Sequence, residues 1–459
     1  TTQTSATQTS RAIASLFVRF SVYAGVALLD VAYLVVIVVL SPAIAWTAWR
    51  HGKYREGWAE KFLGRVPSRQ GDDPCIWFHA VSVGEVMLLR TLVPEVQRDL
   101  PGWAIALSTT TKTGRDLLRR QHPDLITFYC PLDFSWSTRN AIRRIRPAAL
   151  VLAELELWPN LIRTVSDSGA KVMVVNGRLS EKSFAGYRRL GAFVRRLLRR
   201  VDAIAVQDAR YADRFVALGA SPTTTRVTGS IKFDGAEIDR GNALSEALSQ
   251  LWEIRPDDAV FVAGSTQSPE EELAVQAFES LKSEYPTARM ILVPRHPQRF
   301  DEVAQLLDSR GANWCRRSEI ADAETRRSDI LLVDTIGELR GWWGAALGGF
   351  VGGSLGSRGG QNMIEPAAYG VAVCFGPQTQ NFRDVVQMLL SSQAAEVVQD
   401  GAELAAFWRK CLDSPNFAQQ LGNRAQEVVV GQQGATDRTV RWLVELVTES
   451  GEQQTAKAA

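Results

Sequence analysis

The chain has 459 residues, 46% hydrophobic and 22% charged, a length and balance that suit two folded domains better than one core. A net charge of +2 gives no global attraction to nucleic acid. Five scattered cysteines (Cys75, Cys130, Cys315, Cys374, Cys411) with no CxxC pair argue against a disulfide framework or zinc site, and four dispersed histidines argue against a metal cluster.

Residues 1–20, whose first ten are rich in Thr, Ser and Gln, are expected to be disordered. A membrane anchor is expected over 21–49. Within it Val31–Trp49 carries no charge, enough for about 28 Å of helix. Asp30 limits the run upstream, Pro42 is a candidate kink, and Tyr33, Trp46 and Trp49 suit an interface. Basic residues favour the downstream flank (Arg50, Lys53, Arg55, Lys61, Arg65) over the upstream one (Arg11, Arg19), which predicts a single pass with the body of the protein in the cytoplasm.

From residue 75 short apolar runs alternate with helical patterns. Strands are predicted at 75–81, 104–110, 126–130, 149–154, 171–177, 203–207 and 226–230, making a first domain over 50–230. The polar stretch 231–257 reads as a linker. A second alternation, with strands at 259–265, 289–295, 329–334, 347–353 and 371–376, makes a domain over 258–415, followed by a C-terminal helix and tail over 416–459. Strands alternating with helices mean parallel sheets covered on both faces, and such sheets bind ligands at the carboxyl ends of their strands.

Almost every predicted strand ends in polar or glycine residues. Glu85, in HAVSVGE, follows the first strand at a helix start; it is either an ordinary helix-terminal acid or a base for a hydroxyl nucleophile. AELELWPN gives Glu154 and Glu156 at another strand end, either paired acid/base groups or exposed loop acids. Lys232, in GSIKFD, is a cation that could neutralise a departing phosphate, or a solvated linker lysine. PRHP offers Arg295 to a phosphate, and DTIGEL offers Gly337 and Glu338 to a base or ribose. In GGFVGGSLGSRGGQNMIEPAAYG, glycines 352, 353, 359 and 360 allow close backbone approach to an anion, with a helix N-terminus behind them and Asn362 and Glu365 one turn apart. A Gly-rich turn that merely packs a helix on a sheet would look the same. The run 187–200, with Arg188, Arg189, Arg195, Arg196, Arg199 and Arg200, reads as a basic amphipathic helix suited to anionic headgroups, or as a solvated face. No DxD cluster is present.

Together these motifs resemble the 3-deoxy-D-manno-octulosonic acid (Kdo) transferases of lipopolysaccharide synthesis. HAVSVGE, PLDF, ELELWPN, NGRLSEKSF, VTGSIKFD, GSTQSPEEE, LVPRHPQRF, DTIGELR, FVGGSL, GGQNMIEPAA and GPQTQNF occur in the family's order, from the anchor to about residue 390. The resemblance implies a two-domain GT-B fold of facing Rossmann-like domains, an acceptor-binding first half and a CMP-sugar-binding second half. It implies inverting, metal-independent transfer of Kdo from CMP-Kdo to a lipid A precursor at the inner membrane, with no cofactor. By resemblance Glu85 is the general base, and Glu154 and Lys232 stabilise the transition state. Pro294, Arg295, Ile336, Gly337, Glu338, Asn362, Met363, Ile364 and Glu365 fall on CMP-contacting segments.

Gln267, Gln361 and Gln378 stand where the family usually has histidine. Glutamine keeps hydrogen-bonding capacity but cannot titrate near neutrality. Those three positions keep open a GT-B enzyme with another nucleotide-sugar donor or lipid acceptor. A tethered nucleotide-sugar-binding protein without activity is the non-enzymatic alternative, against which Glu85 speaks.

Overall fold

The structure is a computed structural model that describes residues 26–43, 45–47, 49–50 and 56–458. The expected disorder over 1–20 lies outside the described residues, as do Arg11, Arg19, Lys53 and Arg55 of the flank comparison.

The chain forms two compact units, 1–234 with 434–459, and 235–433. In the first, β1 (Cys75–His79), β2 (Ala104–Thr109), β3 (Ile126–Tyr129), β4 (Ala149–Ala153), β5 (Lys171–Gly177), β6 (Ala203–Val206) and β7 (Thr225–Val227) form one sheet in the order 3-2-1-4-5-6-7. Every pairing in it is parallel. Alternate residues of the central strands bury on opposite faces. Ile76, Phe78, Val151 and Met173 pack with the helix Val83–Asp99 and with Val440, Leu443 and Val447 of the final helix. Trp77, Leu150, Leu152 and Val174 pack on the other side with the helices Ser135–Ile145, Pro159–Asp167 and Gly191–Leu198. A strand buried on both faces needs the near-continuous apolar runs that mark these strands in the sequence.

The second unit repeats the plan. Its strands are β8 (Ala259–Thr266), β9 (Ala288–Pro294), β10 (Trp314–Arg316), β11 (Ile330–Leu332), β12 (Gly348–Val351), β13 (Ala372–Phe375) and β14 (Glu396–Val397), in the order 10-11-9-8-12-13-14. All twelve expected strands are present. The two that escaped prediction, β10 and β14, are edge strands of three and two residues, too short to set a pattern.

Three expected segments differ from the structure. Residues 231–257 are no open linker. The 3-10 turn Ile231–Phe233 stays with the first unit, Ala243–Leu251 is a helix, and Arg240 donates to the backbone oxygens of Tyr369, Ala346 and Gly370. The C-terminal region is two helices, Pro415–Gln432 in the second unit and Ala435–Ala458 in the first. They separate at Gly434, whose φ of 83° is left-handed, and the Asp234 carboxylate accepts from the N–H groups of Gly434 (2.7 Å), Ala435 (3.3 Å) and Thr436. The basic run is also two helices, Glu181–Arg189 and Gly191–Leu198, broken at Leu190–Gly191, with Val194, Leu197 and Leu198 buried.

The apolar N-terminal segment is a helix over Val26–Ala43 with mean hydropathy 2.4, of which 11% is buried. One stripe faces the first unit. Asp30 accepts from the Ser135 N–H (2.9 Å) and hydroxyl (2.6 Å) and from Asn160 Nδ2 (3.2 Å), and the Tyr33 hydroxyl donates to Asp133 Oδ2 (3.0 Å).

Candidate functional sites at the strand ends

In the first sheet the crossovers diverge between β1 and β4, and a crevice opens at the carboxyl ends of strands where the order reverses. Glu85 and Glu154 arrive there from these neighbouring strands. Glu85 lies in the first turn of the helix after β1, where Ser82 is the N-cap: its hydroxyl oxygen accepts from the Glu85 N–H (3.3 Å) and its O–H donates to Glu85 Oε1 (2.9 Å). The Val81 N–H donates to Oε2 (2.8 Å). The capping role is therefore filled, as the ordinary reading expected. Yet Glu85 is only 8% exposed, and burial holds its carboxyl above the ordinary value; the Val81 and Ser82 hydrogen bonds oppose this and the Glu154 charge adds to it.

Glu154 follows β4 directly with a left-handed φ of 56°, a conformation costing a non-glycine residue roughly 1–2 kcal/mol. Such strain persists only where surroundings enforce it. Here the Glu154 N–H donates to Val175 O (2.9 Å), and the carboxylate pairs with Lys232 Nζ at 2.9 Å. Lys232 is carried between two buried anchors, Ile231 and Phe233. The Ile231 N–H donates to Asn176 Oδ1 (3.1 Å), and Asn176, buried at the end of β5, is itself left-handed (φ 54°). The β5–β6 register slips between Val174 and Gly177, on either side of it. Glu156 completes the group, accepting from Trp158 Nε1 (2.8 Å); burial first, then the charges of Glu85 and Glu154, push it up to about 7. His79, at the end of β1, is driven down to about 4 by burial and meets Ser108 Oγ at 2.9 Å, so it is neutral at physiological pH.

The second unit has its divergence between β8 and β12, and there the expected arrangement changes. The N–H of Gly353, expected to receive a ligand's anion, donates to the buried carboxylate of Glu270 (2.7 Å), as do those of Ser354 (2.8 Å), Leu355 (2.9 Å) and Gln267 (3.0 Å). Gly352 serves packing: a Cβ there would lie 2.6 Å from Thr266 Cα. The helix behind the loop, Ile364–Ala368, has only five residues, so its dipole is small. Gly359 (φ 88°) and Gly360 (φ 81°) do need glycine's conformational freedom.

The remaining donor-side residues are distributed unevenly. Asn362 and Glu365 meet as the spacing predicts: Asn362 Nδ2 donates to Glu365 Oε1 (3.0 Å), and Asn362 Oδ1 accepts from the Ile364 N–H (3.1 Å). Met363 and Ile364 are buried, which leaves their backbone as the part able to meet a ligand. Pro294 is buried at the end of β9, while Arg295 is exposed with its N–H on Thr266 O (2.9 Å). Ile336 is 84% exposed and Gly337 is left-handed (φ 93°). The Glu338 carboxylate is held by both arms of Arg317 at 2.8 Å, a bidentate fork. Gln267 and Gln361 flank the same loop, Gln361 lying against Gly353, and Gln378 donates its N–H to Ser354 O (2.9 Å). No group of three or more His, Cys, Asp or Glu side chains suited to a metal occurs among the described residues.

Two tandem, doubly wound parallel sheets, each with polar groups gathered at its strand ends, define the GT-B class of glycosyltransferase. The fold is similar to that of UDP-GlcNAc 2-epimerase from Neisseria meningitidis, with TM-score 0.55 and 12% identity, covering 82% of this chain and 100% of that one. The C-terminal CMP-Kdo binding domain of WaaA from Acinetobacter baumannii is 31% identical, covering 40% of this chain and 95% of its own, with TM-score 0.38. Residues 56–235 match the family model of the 3-deoxy-D-manno-octulosonic-acid transferase (kdotransferase). The chain is 33% identical over 392 residues to the 3-deoxy-D-manno-octulosonic acid transferase of Haemophilus influenzae, covering 84% of this chain and 90% of that relative. It is 32% identical over 420 residues to that of Bordetella pertussis, covering 87% and 95%. The chain belongs to the Kdo transferase family.

Proposed function

We propose that the chain transfers Kdo, with inversion and without a divalent metal, from CMP-Kdo to a lipid A precursor of the disaccharide bisphosphate type, at the cytoplasmic face of the inner membrane. The observation that carries this reading is the buried carboxylate Glu85 at the β1–β4 divergence, with the Glu154–Lys232 ion pair placed by the neighbouring strand end.

A sugar hydroxyl is a weak nucleophile until a base removes its proton during attack. Glu85 takes that proton as the hydroxyl oxygen bonds to the anomeric carbon of Kdo. The bond from that carbon to the CMP phosphate oxygen breaks, and its electron pair leaves with CMP. Burial raises the basicity of Glu85, which favours proton abstraction near neutral pH. Lys232, held by Glu154, supplies positive charge where the phosphate gains negative charge, which is the role a metal would otherwise serve. In the second unit, the backbone around Gly337 and the Asn362–Glu365 pair are the groups assigned to CMP.

The test is Glu85→Gln, read by transfer and by CMP binding on the same preparation. Transfer falls by about 10²–10⁴ while CMP affinity is unchanged. A variant that retains wild-type transfer removes Glu85 from the role of base.

A further inference from the structure

We infer that a cavity in the first unit is a subsite for the lipid acceptor, receiving one of its acyl chains and, beside it, one of its phosphates. The inference rests on the acceptor class proposed above and gives that acceptor a place in the fold.

The cavity, of about 290 Å³, is walled by three helices: the first turns of the N-terminal helix, Pro159–Asp167 and Gly191–Leu198. Leu29, Phe193 and Leu197 make its sides apolar, and Arg163, Arg196 and Arg200 stand among them. Positions 193, 196, 197 and 200 follow the spacing of one helical face, so the basic run turns two of its arginines to this cavity. Arg195 does not join them; it packs beside Gly219.

One of the three cations is left with an idle donor. Asn160, 1% exposed, fixes the corner where the helices meet: its Nδ2 donates to Asp30 Oδ1 (3.2 Å) and Asp133 O (2.6 Å), and its Oδ1 accepts from Arg163 Nη2 (3.4 Å). Arg200 is paired with Asp167, whereas Arg163 Nε is buried without a hydrogen-bond partner. Burial, with the charges of Arg139 and Arg200 behind it, holds the Arg163 guanidinium below its ordinary value, and Asp167 and Asp30 offset only part of this. A buried cation with an unused donor is costly, and a bound anion removes that cost. Apolar walls around such a cation fit a ligand that joins an alkyl chain to a phosphate.

Position favours the acceptor over a phospholipid of the bilayer. Pro159, at the cavity wall, lies three residues beyond Glu156 and so within about 11 Å of it by chain reach. Glu156 belongs to the same strand-end group as Glu85 and Glu154. A lipid whose hydroxyl meets Glu85 therefore carries its own phosphate and acyl chain toward this cavity. A bilayer phospholipid has no group to place at those carboxylates.

Acceptor binding to the full chain in detergent, with no donor present, tests this. The probes are a tetraacylated disaccharide bisphosphate and the same bisphosphate stripped of its acyl chains. Phe193→Ser, at a half-exposed wall position, weakens the acylated probe about tenfold and leaves the stripped one unchanged. Arg163→Gln weakens both about tenfold, and Arg196→Gln, at an exposed position that spares the fold, acts in the same direction. Wild-type affinity of all three variants for the acylated probe overturns the proposal. So does a loss confined to phosphatidylglycerol vesicles, which would assign the cavity to the bilayer. If wild type transfers Kdo to the acylated probe while the variants bind it normally, this inference alone fails; if the binding pattern holds and CMP-Kdo gives no transfer, the assigned donor fails instead.

Discussion

The two units share one architecture and use their acids in opposite ways. In the first, the carboxylates at the strand ends are set against one another in a buried place: Glu85 and Glu156 are pushed upward by burial, and Glu154 adopts a left-handed backbone to reach Lys232. In the second, the acids are spent on the scaffold. Glu270 holds four N–H groups, Glu338 is locked to Arg317, and Glu365 braces Asn362. The same fold thus offers charged, strained side chains on one sheet and a shaped backbone on the other. That division suits chemistry in the first unit and recognition of a nucleotide in the second.

Substitutions can break this contrast. After Glu85 itself, the largest effect is expected at the ion pair. Lys232→Ala lowers kcat by about 10²–10³ with little change in CMP affinity. Glu154→Gln acts on the same pair, so the double variant is hardly worse than the single lysine change; additive losses would mean the two residues act separately. In the second unit the expected response is reversed. Glu270→Ala orphans buried N–H groups, costing roughly 3 kcal/mol of stability, and weakens CMP binding before it affects the chemical step. A Glu270→Ala protein with wild-type melting and CMP affinity would show that the loop does not depend on its carboxylate.

Smaller effects sharpen the picture. Asn176→Ala releases the Ile231 N–H and lets Lys232 drift; kcat falls by about tenfold while CMP binding is retained. The smallest is a pH effect at Glu156, whose folded value of about 7 exceeds its ordinary 4.5. A raised carboxyl favours the fold at low pH, and that contribution is lost as pH rises through about 7. Glu156→Gln therefore melts above wild type at pH 8, with the gap closing as pH falls toward 4.5. The acid limb of kcat/KM should also lie above the usual carboxylate range, because Glu85 must be ionised to act.

How much of this the sequence could reveal follows from where the information lies. Most of the twelve legible strands are apolar runs buried on two faces, although β7 is an exposed three-residue edge strand; β10 and β14, with the sequences WCR and EV, are short edge strands with too few apolar residues to carry a pattern. Glu85 and Glu154 were legible as acids just beyond strand ends, and Lys232 as a cation in the junction that follows the first domain. Asn176 and Glu270 were not. Asn176 ends an apolar strand as one polar residue before a glycine, and its bond to Ile231 spans 55 positions. Glu270 is one of three consecutive acids at a helix start, and nothing local says which is buried. The same blindness explains the glycine loop: its N–H groups suited an anion, and the anion proved to be the protein's own carboxylate, 83 positions from Gly353.

The measurement that bears most directly on the account is the mass of the product. The full chain in detergent is given CMP-Kdo and a tetraacylated disaccharide bisphosphate, with and without chelator, beside parallel reactions supplied with other nucleotide sugars. The account predicts an acceptor heavier by one or more Kdo residues, formed equally with chelator present, and the spectrum counts the additions. No product from CMP-Kdo, with a sugar added from another donor by the same folded preparation, would contradict it and point to the three glutamines as marks of a different substrate.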